Sequence, residues 1–177
     1  MSQVHLQPSF QTLRNLSFSN LTGLGDDSAE SDSTLAVKLA SAIGSLPNLK
    51  SLSFETCETL PSKLLMSLPE TLQSLEFTNC PTLTSDILYE VLARNGGSPT
   101  LRELTLNHNP FLDLAFFTTL STICPQLKAL KMDLYDHREN YFRNFGQPKY
   151  DVLLYDDEIP SWPSTLQTLE LVHLSKW

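Results

Sequence analysis

The chain has 177 residues, with 20 acidic side chains against 12 basic ones, a formal charge of -8 and an isoelectric point near 4.8. Affinity for a nucleic acid backbone or an anionic membrane surface comes mainly from clustered Lys and Arg, and the sequence has no basic run, so neither is an expected partner. One buried core is expected, as a single domain over 1-177; there is no apolar stretch near the roughly 20 residues of a membrane helix and no apolar signal core in the first twenty residues, which makes cytoplasm or nucleus the expected compartment.

The first strand is expected around Leu13, Leu16, Phe18, Leu21 and Leu24, where apolar and polar residues alternate about Ser17. Gly25 to Ser33 is polar, acidic and without period, and reads as a solvated loop, the first of two insertions, at about 25-33. Ser33 is the expected N-cap of a helix from Leu35 to Ile43, with Leu35, Leu39 and Ile43 on one face and Gly44 closing it. Three segments then share one pattern: Leu49, Leu52, Phe54, Cys57, Leu60; Leu72, Leu75, Phe77, Cys80, Leu83; and Leu101, Leu104, Leu106, Asn109, Leu112. Leu127, Leu130 and Met132 begin a fourth, and Leu166, Leu169, Leu171 and Leu174 form the last. Between them, the spacing predicts one or two helical turns around Ser62 to Ser67. A helix capped by Thr84-Ser85-Asp86 should carry Ile87, Val91 and Leu92 and stop at Asn95-Gly96-Gly97, and another should run from Leu114 to Ile123. Pro47, Pro69, Pro99, Pro125 and Pro163 each stand two or three residues ahead of a leading Leu, where proline ends a helix and biases its predecessor toward extended geometry. The second insertion, at about 133-163, carries Tyr135, Tyr141, Phe142, Phe145, Tyr150, Tyr155 and Trp162 among charged residues. It is read either as an interaction loop or, preferably, as a cover over the edge of the repeat stack.

Each of the three segments from Leu49, Leu72 and Leu101 reads LxxLxLxxC/NxxL, the sequence form of a leucine-rich repeat. Cys80-Pro-Thr-Leu-Thr-Ser-Asp86, with Ile123-Cys124-Pro125-Gln126-Leu127-Lys128-Ala129-Leu130, resembles the cysteine-containing subclass of these repeats. That subclass occurs mostly in F-box proteins, the substrate receptors of cullin-RING ubiquitin ligases. The resemblance spans about Leu13 to Leu174 and implies an α/β fold. This would be a right-handed leucine-rich-repeat solenoid of about six repeats, an open, ribonuclease-inhibitor-like horseshoe with parallel strands on its concave face and helices on its convex face. An F-box should precede such repeats, which here begin almost at Met1, so a Skp1-type adaptor is an expected partner only if an F-box exists outside this chain. Neither end shows the polar cap that a solenoid needs, and the chain is expected to be part of a longer array.

In such a repeat the variable strand positions form rows on one face: Ser17, Ser53, Glu76, Thr105, Lys131, Glu170; then Ser19, Glu55, Thr78, Asn107, Asp133, Val172; and beside them Asn20, Thr56, Asn79, His108, Leu134, His173. Its centre, with Glu55, Glu76, Glu103 and His108, reads equally as a receptor for a Lys- or Arg-bearing partner and as a face kept polar for solubility. The candidate partner-binding residues are Glu55, Glu76, Glu103, Asn107, His108 and Asp133 on this face, with Tyr141, Phe142 and Tyr150 in the insertion. Cys57 and Cys80 hold equivalent positions and read as compact, weakly donating fillers at a turn rather than as a disulfide or metal pair, since no third ligand completes a set. His108 beside Glu76 or Asp133 is the single arrangement with catalytic residue types, and no oxyanion site accompanies it. No cofactor, metal or enzymatic activity is expected. The expected function is a non-catalytic protein-protein interaction module, the substrate-recognition repeats of an F-box-type ubiquitin ligase receptor. The alternative is a structural or regulatory repeat subunit of a larger complex with no ubiquitin role.

Overall fold

The computed structural model describes residues 8–22, 30–133 and 159–172. Among these the fold is α/β, with one sheet of six parallel strands: β1 Asn15–Ser19, β2 Ser51–Glu55, β3 Ser74–Thr78, β4 Glu103–Asn107, β5 Ala129–Asp133 and β6 Thr168–Val172. Strand order follows chain order, and the register never slips. Leu16, Leu52, Leu75, Leu104, Leu130 and Leu169 pair across the sheet in one row, and Phe18, Phe54, Phe77, Leu106, Met132 and Leu171 in another. Strand residues alternate between faces, so these two rows share one side and, apart from Leu169, which is 45% exposed, build the core with residues of the connecting helices. Parallel sheets are usually apolar on both faces; here the face opposite the core is mostly polar, with Ala129 and Val172 the exceptions on the described strands. Ser53, Glu76 and Thr105 stand side by side on the other face, as the repeat pattern requires.

The helices are α1 Pro8–Gln11, α2 Glu30–Gly44, α3 Ser62–Leu65, α4 Ser85–Ala93 and α5 Leu120–Ile123, with 3₁₀ turns at Arg94–Gly96 and Ala115–Thr118. The Thr84 hydroxyl accepts from the Ile87 N–H at 3.3 Å and caps α4 as its sequence predicts; Leu88, Val91 and Leu92 face the core. Two expectations are corrected. Helix α2 starts at Glu30, so residues 30–33 belong to the helix rather than to the loop, and Ser33 is no cap: neither Gly nor Pro interrupts Glu30 to Thr34. Its core face is Ala36, Ala40 and Ile43, while Leu35 is 54% exposed. The expected single helix from Leu114 to Ile123 is broken at Thr119, where φ is -116°. The Thr118 and Thr119 hydroxyls donate back to the carbonyls of Ala115 and Phe116, at 2.8 and 3.2 Å, and compete with helical pairing.

At the turn where each proline sits, the N–H of the leading Leu donates three residues back. Leu72 donates to Pro69 at 3.3 Å, Leu101 to Ser98 at 3.2 Å, Leu127 to Cys124 at 3.1 Å and Leu166 to Pro163 at 3.0 Å. At the opposite strand end Asn20, Thr56, Asn79 and His108 all adopt φ of +53° or +54°, and each donates its N–H to the last carbonyl of the following strand, at 2.8 to 3.0 Å. This left-handed corner costs an L-residue about 1–2 kcal/mol, least for Asn and most for a β-branched side chain. Thr56→Asn is therefore expected to raise stability by about 1 kcal/mol, read as a later denaturant midpoint. An unchanged or earlier midpoint would show that the strain does not reside at this residue.

Candidate functional site

Strand alternation puts Glu55, Glu76, Glu103, Asn107 and Asp133 on the face opposite the core. Their register separates the three glutamates: Glu55 closes β2, Glu76 is central in β3 and Glu103 opens β4, each offset by two residues from the last. They run diagonally, with backbones about 8 Å apart from strand spacing and rise. Like charges are thereby kept from direct opposition, and small hydroxyls sit between them. Ser19 Oγ donates to Glu55 Oε2 at 3.3 Å, Thr78 Oγ1 donates to Glu76 Oε1 at 3.2 Å, and Ser53 Oγ donates to Ser17 Oγ at 2.8 Å. Asn107 and Asp133 are register partners at the ends of β4 and β5.

Of the two neighbours expected for His108, the structure places Asp133 against it, with Nδ1 3.8 Å from Oδ2. Lys131 Nζ meets Glu170 Oε2 at 3.3 Å, with both side chains about half exposed, where solvent screens the attraction. Glu55, Glu76, Glu103, Asp133 and Glu170 thus outnumber Lys131 on the strands of this face, whose sign is acidic. Tyr141, Phe142 and Tyr150 lie outside the described residues, as do Leu134 and His173. From the same insertion, Trp162 packs on Phe117 with ring centroids 4.9 Å apart. Ser161 joins it, its N–H donating to the Phe117 carbonyl at 2.8 Å and its carbonyl accepting from Ser121 at 2.9 Å. Ser161 and Trp162 thus lie on the buried Phe117, while the insertion from 134 to 158 lies outside the described residues.

Below the corner runs a buried column. Cys57, Cys80 and Asn109 follow the strand ends, with Asn109 4% exposed and both thiols fully buried. Asn109 Nδ2 donates to the Phe77 carbonyl, and its Oδ1 accepts from the Cys80 N–H, both at 2.9 Å. Cys80 repeats the donor half of this with sulfur, its thiol donating to the Phe54 carbonyl at 3.6 Å. The Cys57 thiol donates to Glu55 at 3.6 Å and to Phe18 at 4.0 Å. Both act as small, weakly donating fillers, as read from the sequence.

Burial pushes the Cys80 and Cys124 thiols from the ordinary 9.0 up to about 12, and raises Cys57. Unfolding returns them to ordinary acidity, so above about pH 9 the unfolded chain releases protons that the folded chain keeps. These thiols take nothing from stability below pH 9, and they lower it between about pH 9 and 12, by up to ~1.4 kcal/mol per pH unit for each thiol. Urea midpoints at pH 8, 9.5 and 10.5 should fall progressively, and less steeply in Cys124→Ala; identical slopes would contradict the assignment. Among the described residues no group of three or more His, Cys, Asp or Glu side chains is placed to hold a metal ion.

One row escaped the sequence reading. Arg14, Lys50, Gln73, Arg102, Lys128 and Gln167 each stand immediately before a strand, and the carbonyls of the first five extend the register. The signal was the Leu-Arg, Leu-Lys or Leu-Gln pair opening each repeat. A scan against protein-family models gives no match for this chain, and a search of curated proteins gives none either.

Proposed function

We propose that the chain is a leucine-rich-repeat solenoid that serves as a non-catalytic protein-interaction module, with the polar sheet face receiving a partner that carries a basic surface. The observation that carries the reading is the unbroken register of five consecutive parallel pairings, which stacks the variable positions of every repeat into rows opposite the core. A rigid, acidic, hydroxyl-rich face steers Lys- and Arg-bearing surfaces and gains specificity from the placing of its carboxylates more than from their number. From the resemblance of residues 80–86 and 123–130 to the cysteine-containing repeats, the setting we propose is substrate recognition for an F-box-type ubiquitin ligase, in the cytoplasm or nucleus.

Zero-length carbodiimide coupling joins carboxylates to lysine amines and tests the face directly. Partner lysines should be recovered on Glu55, Glu76 and Glu103, and partner recovery should drop by about tenfold in E55Q/E76Q/E103Q. Undiminished recovery from the triple variant, or cross-links confined to the helix side, would refute the face. Co-purification of a Skp1-type adaptor with the full gene product tests the setting separately. Its failure would remove the ligase and leave a repeat subunit of another complex.

A further inference from the structure

The row at the strand starts has the sign opposite to that of the face beside it. Arg14, Lys50, Arg102 and Lys128 precede β1, β2, β4 and β5, with Gln73 and Gln167 in the same place before β3 and β6. Their alignment is fixed by a repeated backbone device. The N–H groups of Lys50 and Ser51 both donate to the Arg14 carbonyl, those of Gln73 and Ser74 to Lys50, those of Arg102 and Glu103 to Gln73, and those of Lys128 and Ala129 to Arg102, all at 2.7 to 3.0 Å. Four of the 12 cations of a chain with charge -8 therefore stand on one line, about 20 Å long at the ordinary strand spacing of about 4.8 Å.

Side-chain bonds stiffen this edge. Thr71, Thr100 and Thr165 each donate a hydroxyl to a carbonyl of the repeat before, on Leu49, Leu72 and Leu127, at 2.7 to 2.9 Å. Arg14 and Arg102 are exposed and Lys50 and Lys128 half-exposed, and none is ion-paired to a described residue. The carboxylate in the turn ahead of β3, Glu70, is occupied by the Asn95 amide and precedes a strand that opens on Gln73. Glu103 follows Arg102 but by alternation belongs to the polar face.

We propose that this row docks an extended acidic segment of a protein partner, laid across the strand starts. The backbone donors of the edge are already used within the sheet, so recognition runs through side-chain charge at a fixed pitch. A segment of about six extended residues spans the four cations. The row holds four separate cations, interrupted by Gln73, in a chain of charge -8, too few for the clustered basic surface on which nucleic acid affinity depends, which favours a short acidic peptide. The row does not depend on the acidic face being a binding site.

Fluorescence anisotropy with a fluorescein-labelled octaglutamate at low ionic strength tests this. Wild type should bind, and K50Q/R102Q/K128Q should bind about tenfold more weakly; glutamine already occupies two places in the row, so the variant keeps a side chain that the fold accepts. K38Q/K63Q, on α2 and α3, should bind as wild type does, and E55Q/E76Q/E103Q should bind no more weakly, which separates failure here from failure of the acidic face. Absence of binding by wild type, equal affinity in the row variant, or equal affinity for an oligothymidylate of the same charge would overturn the proposal.

Discussion

Phe54→Ala is expected to lower the unfolding free energy by about 3–5 kcal/mol. Phe54 is fully buried at the fourth position of β2, and the register aligns it with Phe18 on one side and Phe77 on the other. The rings stack, with centroids 5.5 Å apart at 14° to Phe18 and 5.4 Å apart at 8° to Phe77. Strand spacing sets this separation, so neighbours cannot close a vacated place without disturbing the ladder that holds them, and the cavity term stays close to its full value. Two aromatic contacts are lost as well, at about 0.5–1.5 kcal/mol each. Phe77→Ala should cost nearly as much, since Phe77 is equally buried, and Phe18→Ala least, since Phe18 is half-buried and stacks on one ring only. Phe54→Leu should cost less than about 1.5 kcal/mol, because Leu106 fills the same place in β4. Denaturant unfolding of the four variants gives the order, and a loss below about 1 kcal/mol in Phe54→Ala would mean that this row is not a packed core.

The strands and their register were legible because one two-residue alternation recurs beside one apolar spacing; once Leu52, Leu75 and Leu104 are aligned, the pairing of Ser53, Glu76 and Thr105 follows. Cap chemistry was legible at Thr84 for the same local reason. Helix limits were not. The start of α2 at Glu30 lies in a segment with no apolar periodicity, and the break at Thr119 comes from hydroxyls competing for carbonyls, a contest that apolar spacing does not register. The polar face was readable residue by residue, since Glu55, Glu76, Glu103, Asn107 and Asp133 follow from alternation. Its diagonal of carboxylates needed the alignment of positions within neighbouring strands. The cationic row was spelled out in the sequence and passed over, because attention to charge runs along the chain misses charges that recur once per repeat. The left-handed corner was hidden for a different reason: Asn20 and Asn79 favour it, whereas Thr56 and His108 are held there by pairing to the next strand.

Asn109→Ala is expected to cost about 3 kcal/mol, although it removes a polar side chain from the core. Asn109 is the buried polar residue among those described, and its amide, which follows β4, serves two backbone groups at the end of β3, the carbonyl of Phe77 and the N–H of Cys80. Alanine leaves both unpaired in a dry interior, at about 1–3 kcal/mol each. Asn109→Cys should recover part of the loss, because the Cys80 thiol already donates to the Phe54 carbonyl in the repeat before. Asn109→Asp should be the worst of the three at neutral pH: it keeps the acceptor for Cys80 but turns a carboxylate toward the Phe77 carbonyl. Acid should partly restore it, since a protonated carboxyl can donate where the ionised one repels, so its deficit is small at low pH and grows as pH rises through the raised carboxyl pKa. Equilibrium unfolding of the three variants at neutral and acidic pH distinguishes this account from simple side-chain burial. If Asn109→Cys proved no more stable than Asn109→Ala, the column would be a packing feature, and the hydrogen bonds that join one strand's exit to the next would not be what holds it.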